Sequence, residues 1–228
     1  MGQTVDPFFV PGVDDEDTVR RRRALVRSIE RDARGDRPVI HAMLSVPRHA
    51  FVPPYWYFRA YEDGPLTIGH GQTISQPAVV AMMTFALRPE PHHTILEVGT
   101  GSGYQTAVLS RLVKRVETVE IIEPLAVTAA ETLRSLGYDN VRVHVGDGYD
   151  AVKDAAPFDG IMVTAAPERV PEGLLAQLRD GGRMVLPVGP EFGIQDLIVL
   201  RRRGNDIERK SIAPVRFVPM VKKDGTAR

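Results

Sequence analysis

Residues 94–104 read TILEVGTGSGY. Ile95, Leu96 and Val98 make a short apolar run suited to a buried parallel strand. The run ends in Gly99-Thr100-Gly101-Ser102-Gly103, and a helix-forming segment follows from Gln105 to Lys114, carrying Ala107, Val108, Leu109 and Leu112. Strand, glycine turn, helix is a layout that brings backbone close to a bound nucleotide. Glycine suits such a turn because a Cβ would clash or forbid the required dihedrals. The spacing is G-x-G-x-G. Tyr104 stands where a dinucleotide fingerprint needs its third glycine, so a nucleoside ligand is favoured over a dinucleotide. A tight strand-to-helix turn without any ligand is the alternative.

Outward from this stretch, strand and helix patterns alternate as in a doubly wound, mostly parallel α/β sheet. Strands are expected at Ile95–Val98, Arg115–Ile121, Val141–Val145, Gly160–Thr164, Arg183–Pro187, Leu197–Arg201 and within Ile207–Val218, seven in all. Helices are expected near Gln105–Lys114, Pro124–Leu136 and Glu168–Leu178. Arg203-Gly204-Asn205-Asp206 reads as a hairpin turn, so the sheet should end with an antiparallel C-terminal strand.

The N-terminal part differs. Residues 1–17, ending in the acidic run Asp14 to Asp17, read as a loose extension whose charges favour the start of the next helix. Residues 18–228 read as one domain, with a helical and substrate-loop region over 18–90 and the sheet over 91–228. Leu25, Val26, Ile29 and Ala33 give helical spacing between Thr18 and Arg34, and the basic run Arg20 to Arg23 reads as a solvated face. A short helix is expected over Val39–Val46. Phe51, Tyr55, Trp56, Tyr57, Phe58 and Tyr61 read chiefly as a packing cluster. In GQTISQP (Gly71–Pro77), Pro77 suits a first helical position and Ser75 or Gln76 an N-cap. Thr73, Ser75 and Gln76 also form a polar loop able to hold a carboxylate or amide.

The totals narrow the class. Lys+Arg and Asp+Glu are 29 each among 228 residues, which implies no bulk attraction to nucleic acid or anionic membrane. The absence of cysteine removes thiolate chemistry. No apolar run is long enough to span a membrane and no signal-peptide pattern is evident, so a cytoplasmic enzyme, read as a monomer, is the expectation. His92-His93 lacks the helical spacing of a zinc pair, and no metal is expected.

Ligands of open parallel sheets sit at the carboxyl ends of the strands. Glu97 lies just before the glycine turn. Glu120 lies 21 positions after Gly99, near the end of the second strand, where an acidic side chain accepts from ribose hydroxyls. Asp147, in Gly146-Asp147-Gly148, follows the third and is placed to accept from an adenine amino group. The ordered set argues for an adenosyl ligand.

LEVGTGSGYQTAVLS resembles motif I of the class I S-adenosylmethionine-dependent methyltransferases. GQTISQP, VPRHAFVP, PFDGIMVTAA, LLAQLRDGGRMVLPVG and VRFVP are similar to the protein-L-isoaspartate O-methyltransferase family, over about Val46 to Met220. The resemblance implies a seven-stranded sheet whose last strands are ordered differently from other methyltransferases. It implies that S-adenosylmethionine, released as S-adenosylhomocysteine, contacts Ile74, Glu97, Gly99, Thr100, Gly101, Gly103, Glu120, Ile121, Asp147 and Gly148. Ser75 would be the active-site hydroxyl. Thr73 and Gln76, with Val215 and Phe217 of VRFVP, would hold a protein or peptide bearing an isoaspartyl residue; apart from the resemblance, His70 is a substrate-binding candidate because it is near Ser75 in sequence. The implied activity is carboxyl methylation leading through a succinimide to repair. Ala78, Phe85 and Glu123 depart from the family pattern. The alternatives are methylation of a normal aspartate in a dedicated peptide, or adenosyl binding without catalysis.

Overall fold

A computed structural model describes residues 6–149 and 152–221. Its strands are β1 (Leu66–Gly69), β2 (Gln72–Ile74), β3 (Thr94–Val98), β4 (Arg115–Glu120), β5 (Val141–Val145), β6 (Phe158–Val163), β7 (Leu178–Val188), β8 (Gln195–Arg203) and β9 (Asp206–Val215). Its α-helices are α1 (Glu16–Ser28), α2 (Arg37–Ser45), α3 (Pro77–Leu87), α4 (Tyr104–Ser110), α5 (Glu123–Ser135) and α6 (Glu172–Ala176). Seven strands form one sheet in the order β5-β4-β3-β6-β7-β8-β9, and β1 and β2 form a separate antiparallel pair. The strand order reverses direction between β3 and β6, which opens a crevice at their carboxyl ends.

β3, β4, β5, β6 and β7 are parallel; β8 is antiparallel to both β7 and β9. The reversal therefore falls on the penultimate strand, and β9 runs with the parallel set. The parallel strands are apolar on both faces. Leu96, Val98, Ile161, Val163 and Met184 pack on one side, and Ile95, Val116, Met162 and Val185 on the other. Alternation along each strand sends Ile95 and Glu97 one way and Leu96 and Val98 the other.

Two expected helices are shorter. α4 ends at Ser110, since Leu112 and Val113 turn the chain inward toward β4. α6 begins only after Pro171, whose ring disfavours helix in the residue before it. β7 starts five residues early, at Leu178, with an irregularity in its pairing to β6.

The N-terminal extension is not loose over its described part. Asp14 and Arg22 form a bidentate ion pair (2.9 and 2.7 Å), with side chains 0% and 1% exposed. Arg22 also donates to the Phe8 carbonyl at 2.6 Å. Asp15 and Thr18 form a reciprocal capping box at the start of α1. So one arginine of the basic run is a core residue rather than a solvated one. The aromatic stretch divides as well. Phe51 and Tyr61 are buried, while Tyr55 and Phe58 face solvent at 67% and 81% exposure. None of the six lines the clefts described below.

Candidate active site

The glycine turn is built by close approach. Gly99 has φ +98°, and a Cβ there would lie 2.3 Å from Thr164 Oγ1 at the end of β6. Thr164 donates from that hydroxyl to the Gly99 carbonyl at 2.6 Å. The Gly99 N–H is held by the Val119 carbonyl at 2.8 Å. Gly101 has φ +53°, and its N–H donates to Glu120 Oε2 at 2.8 Å. The other oxygen of Glu120 accepts from the Ile122 N–H at 3.0 Å. Glu120 thus ties the turn after β3 to the turn after β4, and it lines the crevice.

A cleft opens over this turn, lined by Ile74, Ser75, Gly99, Thr100, Gly101, Glu120, Ile121 and Gly148 among others. A Cβ on Gly148 would come within 2.3 Å of Val98 Cγ1, so bare backbone is required there too. Tyr104, buried with the Arg48 guanidinium 4.7 Å from its ring centroid, and Gln105 also line it. A glycine turn at the end of a parallel strand, with an acidic side chain on the cleft wall, suits an adenosyl ligand.

Three residues assigned to the cofactor stand off the cleft wall. Gly103 packs α4 against α5: a Cβ would meet Leu133 at 3.3 Å and Ala129 at 3.4 Å. Asp147 is beside Gly148 and caps the local turn by accepting from the Tyr149 N–H at 2.9 Å, without lining the cleft. Glu97 lies behind the turn because the pleat points it toward α4. It is fully buried, accepting at Oε2 from Thr118 (2.7 Å) and from Thr106, while Oε1 has no hydrogen-bond partner.

Burial raises the Glu97 carboxyl to about 7, against the two hydroxyl donors that lower it. An acid whose folded value exceeds its unfolded one stabilises the fold most at low pH. That contribution is lost as pH rises from about 4.5 to about 7. Glu97→Gln should therefore flatten the pH profile. The wild type should lose on the order of 2–3 kcal/mol relative to the variant between pH 4.5 and 7.5. Urea unfolding of both at several pH values measures this, and parallel profiles would refute it.

A second cleft adjoins the first, lined by Thr73, Ser75, Gln76, Thr164, Val215, Phe217 and neighbours. Thr73, Ser75 and Thr164 border both clefts. The N-cap expectation for Ser75 does not hold, since α3 is capped from a distance. Gln76 is its N-cap by backbone and makes no side-chain cap. Asp63 instead accepts from the Ala78 N–H at 2.9 Å and from Gln76 Nε2 at 2.9 Å. Gln76 lines the second cleft with its amide nitrogen already engaged. Among the described residues no side-chain hydrogen bond to the Ser75 hydroxyl is formed, so it is free for a ligand. His70 sits at the exposed tip of the β1–β2 hairpin with φ +51° and borders neither cleft.

The VRFVP segment is a strap after β9. Gln195, buried at 1% exposure, accepts from the Phe217 N–H at 2.8 Å. Ala166 donates to the Val218 carbonyl at 2.8 Å and accepts from the Met220 N–H at 2.9 Å. The strap passes from the second cleft to the first, where Val218, Pro219 and Met220 are part of the wall. Sequence reasoning missed Asp63, Thr164 and Gln195 as site-building residues. Only the run of small residues after β6 signals Thr164.

His92 and His93 are joined by Glu90, whose ligand atoms lie within 4.8 Å of theirs. The trio precedes β3, at the end away from the glycine turn, so it is no part of this site.

The sheet order, glycine turn and acidic strand end define a class I methyltransferase fold. Residues 20–225 match the family model Protein-L-isoaspartate(D-aspartate) O-methyltransferase, and the chain belongs to that family. It is 50% identical over 213 residues to Protein-L-isoaspartate O-methyltransferase 2 of Shewanella sediminis, covering 92% of this chain and 87% of the relative. A solved protein-L-isoaspartate O-methyltransferase superposes with TM-score 0.81 at 28% identity, over 90% of this chain and 67% of its own. A Plasmodium falciparum chain assigned the same activity, crystallised with S-adenosyl-L-homocysteine, gives TM-score 0.76 at 26% identity, over 89% and 98%.

Proposed function

We propose that the chain transfers the methyl group of S-adenosylmethionine to the free carboxylate of an L-isoaspartyl residue in a protein or peptide. The observation that carries this reading is the junction of the two clefts at Thr73, Ser75 and Thr164. A donor seated over the glycine turn and a peptide under the strap would meet there. When bound, S-adenosylmethionine supplies a methyl group already activated by its sulfonium.

The residues then have positioning work. The acceptor carboxylate is ionised at neutral pH, since an unperturbed carboxyl titrates near about 4, so no strong base is needed. Alignment of nucleophile and methyl supplies most of the rate. The Ser75 hydroxyl, free of side-chain partners, would donate to the carboxylate oxygen that does not attack. Glu120 would accept from ribose hydroxyls, and Gly99, Gly101 and Gly148 would admit the ligand close to backbone. Val215 and Phe217 would flank the peptide. The ester product lets the following amide nitrogen attack its carbonyl, with methanol leaving and a succinimide forming. Hydrolysis then returns part of the material as normal aspartate. We read the chain as a cytoplasmic monomer whose balanced charge gives no bulk attraction to nucleic acid or an anionic membrane. No helix among the described residues is long and apolar enough to cross a membrane.

Ser75→Ala tests the assignment. We expect kcat to fall about 10- to 100-fold while S-adenosylhomocysteine binds within threefold of wild type. Turnover unchanged from wild type would remove Ser75 from the reaction.

A further inference from the structure

α3 begins at the junction of the clefts and ends at a different feature. Beyond its last turn, Arg31, Arg34, Arg88, Arg183 and Lys210 surround a groove of about 380 Å³, with Asp32 the one acidic residue on its rim. In a chain of zero net charge this is a local excess of four positive charges. Among the described residues none of the five cations has a carboxylate within ion-pair distance, whereas Arg179, Arg203 and Arg209 nearby in sequence each do.

Arg31, Arg34, Arg88 and Lys210 are exposed around the groove, and Arg183 lies deeper. Arg183 is half-buried on β7, directly opposite Arg201 on β8. Burial lowers the Arg183 pKa first, and the charges of Arg88 and Arg201 lower it further; only Glu208 acts against them. Glu208 is itself engaged by Arg203 at 2.7 Å. The buried Nε of Arg201 has no acceptor. Guanidinium groups held together without a counterion imply an anion with several oxygens. Their planar forks match phosphoryl geometry bidentately. Met82, Val199 and Ile212 give the groove an apolar floor.

We propose that this groove binds a compact anion of two or more linked phosphoryl groups, either a free polyphosphate or the phosphate chain of a nucleotide. A single phosphate, at about two negative charges, would leave about half of the excess uncompensated. The site is separate from both clefts, so its occupancy does not depend on the methyl-transfer reading.

The test is calorimetric titration of the full chain, at 0.15 M salt, with tripolyphosphate, ATP and inorganic phosphate in parallel. We expect saturable tripolyphosphate binding at one site, at least tenfold tighter than phosphate. Equal affinity for ATP and tripolyphosphate would identify the phosphate chain as the ligand; tighter ATP binding would add the nucleoside on the apolar floor. Arg183→Gln should weaken binding at least tenfold, and Arg142→Gln, at an exposed cation elsewhere, should not change it. If Arg183→Gln does not fold, the double variant Arg31→Gln/Lys210→Gln, at two exposed positions, carries the same test. Methyl transfer should persist in either. Absence of saturable tripolyphosphate binding up to 1 mM, or binding retained in the groove variants, would overturn the proposal.

Discussion

Gly99→Ala should weaken S-adenosylhomocysteine binding at least 100-fold and destabilise the fold by on the order of 2–4 kcal/mol. Two separate costs meet at this position. The backbone sits at φ +98°, which L side chains rarely adopt, and the new Cβ would lie 2.3 Å from Thr164 Oγ1. Thr164 cannot simply step aside, because its hydroxyl bonds the Val98 and Gly99 carbonyls at 3.0 and 2.6 Å. The turn must move, and with it the Gly101 N–H that Glu120 holds at 2.8 Å. Adding Thr164→Ala should restore part of the loss by removing the overlap while leaving the backbone strain. Calorimetry and urea unfolding on both variants measure this. Binding within threefold of wild type in Gly99→Ala would mean that the turn is not the cradle.

The second large effect lies far from the chemistry. Asp14→Ala should cost about 3–5 kcal/mol, because it leaves the Arg22 guanidinium buried without its counter-charge. For a chain of this size that is a fall in Tm of roughly 8–15 °C. The Phe8 carbonyl and the Tyr61 hydroxyl, at 2.6 and 3.4 Å, are the acceptors that remain for Arg22. Protein that stays folded should bind S-adenosylhomocysteine normally, since Asp14 borders neither cleft. A loss below about 1 kcal/mol would show that the N-terminal segment is an appendage after all.

These two positions mark what was and was not legible in the sequence. Gly99 was legible because its constraint is local: apolar strand, glycine turn and helix follow one another within eleven residues. The order of the residues at the strand ends, Glu120 and Gly148 included, follows from the same alternation. Asp14 was not legible. Its partner lies eight residues on, inside a run of four arginines that differ only in the direction each faces. Strand pleating decided Glu97 in the same way. Its position before the turn suggested the cofactor, yet alternation along β3 turns it to α4. Ser75 suggested a helix cap until the fold supplied Asp63 from thirteen or more residues upstream of the groups it caps. Long-range partners of this kind have no signature in local spacing. The strap shows a middle case: VRFVP was visible as a motif, but the buried Gln195 that fixes it was not.

We propose that the junction of the two clefts serves an isoaspartyl carboxylate. The most direct measurement is initial-rate methyl transfer from S-adenosylmethionine to a pair of peptides identical except for L-isoaspartyl or L-aspartyl at one position. We expect a kcat/KM at least 100-fold higher for the isoaspartyl peptide, a difference of about 2.7 kcal/mol in transition-state stabilisation. Equal rates on both peptides, or methylation of the aspartyl peptide alone, would contradict it.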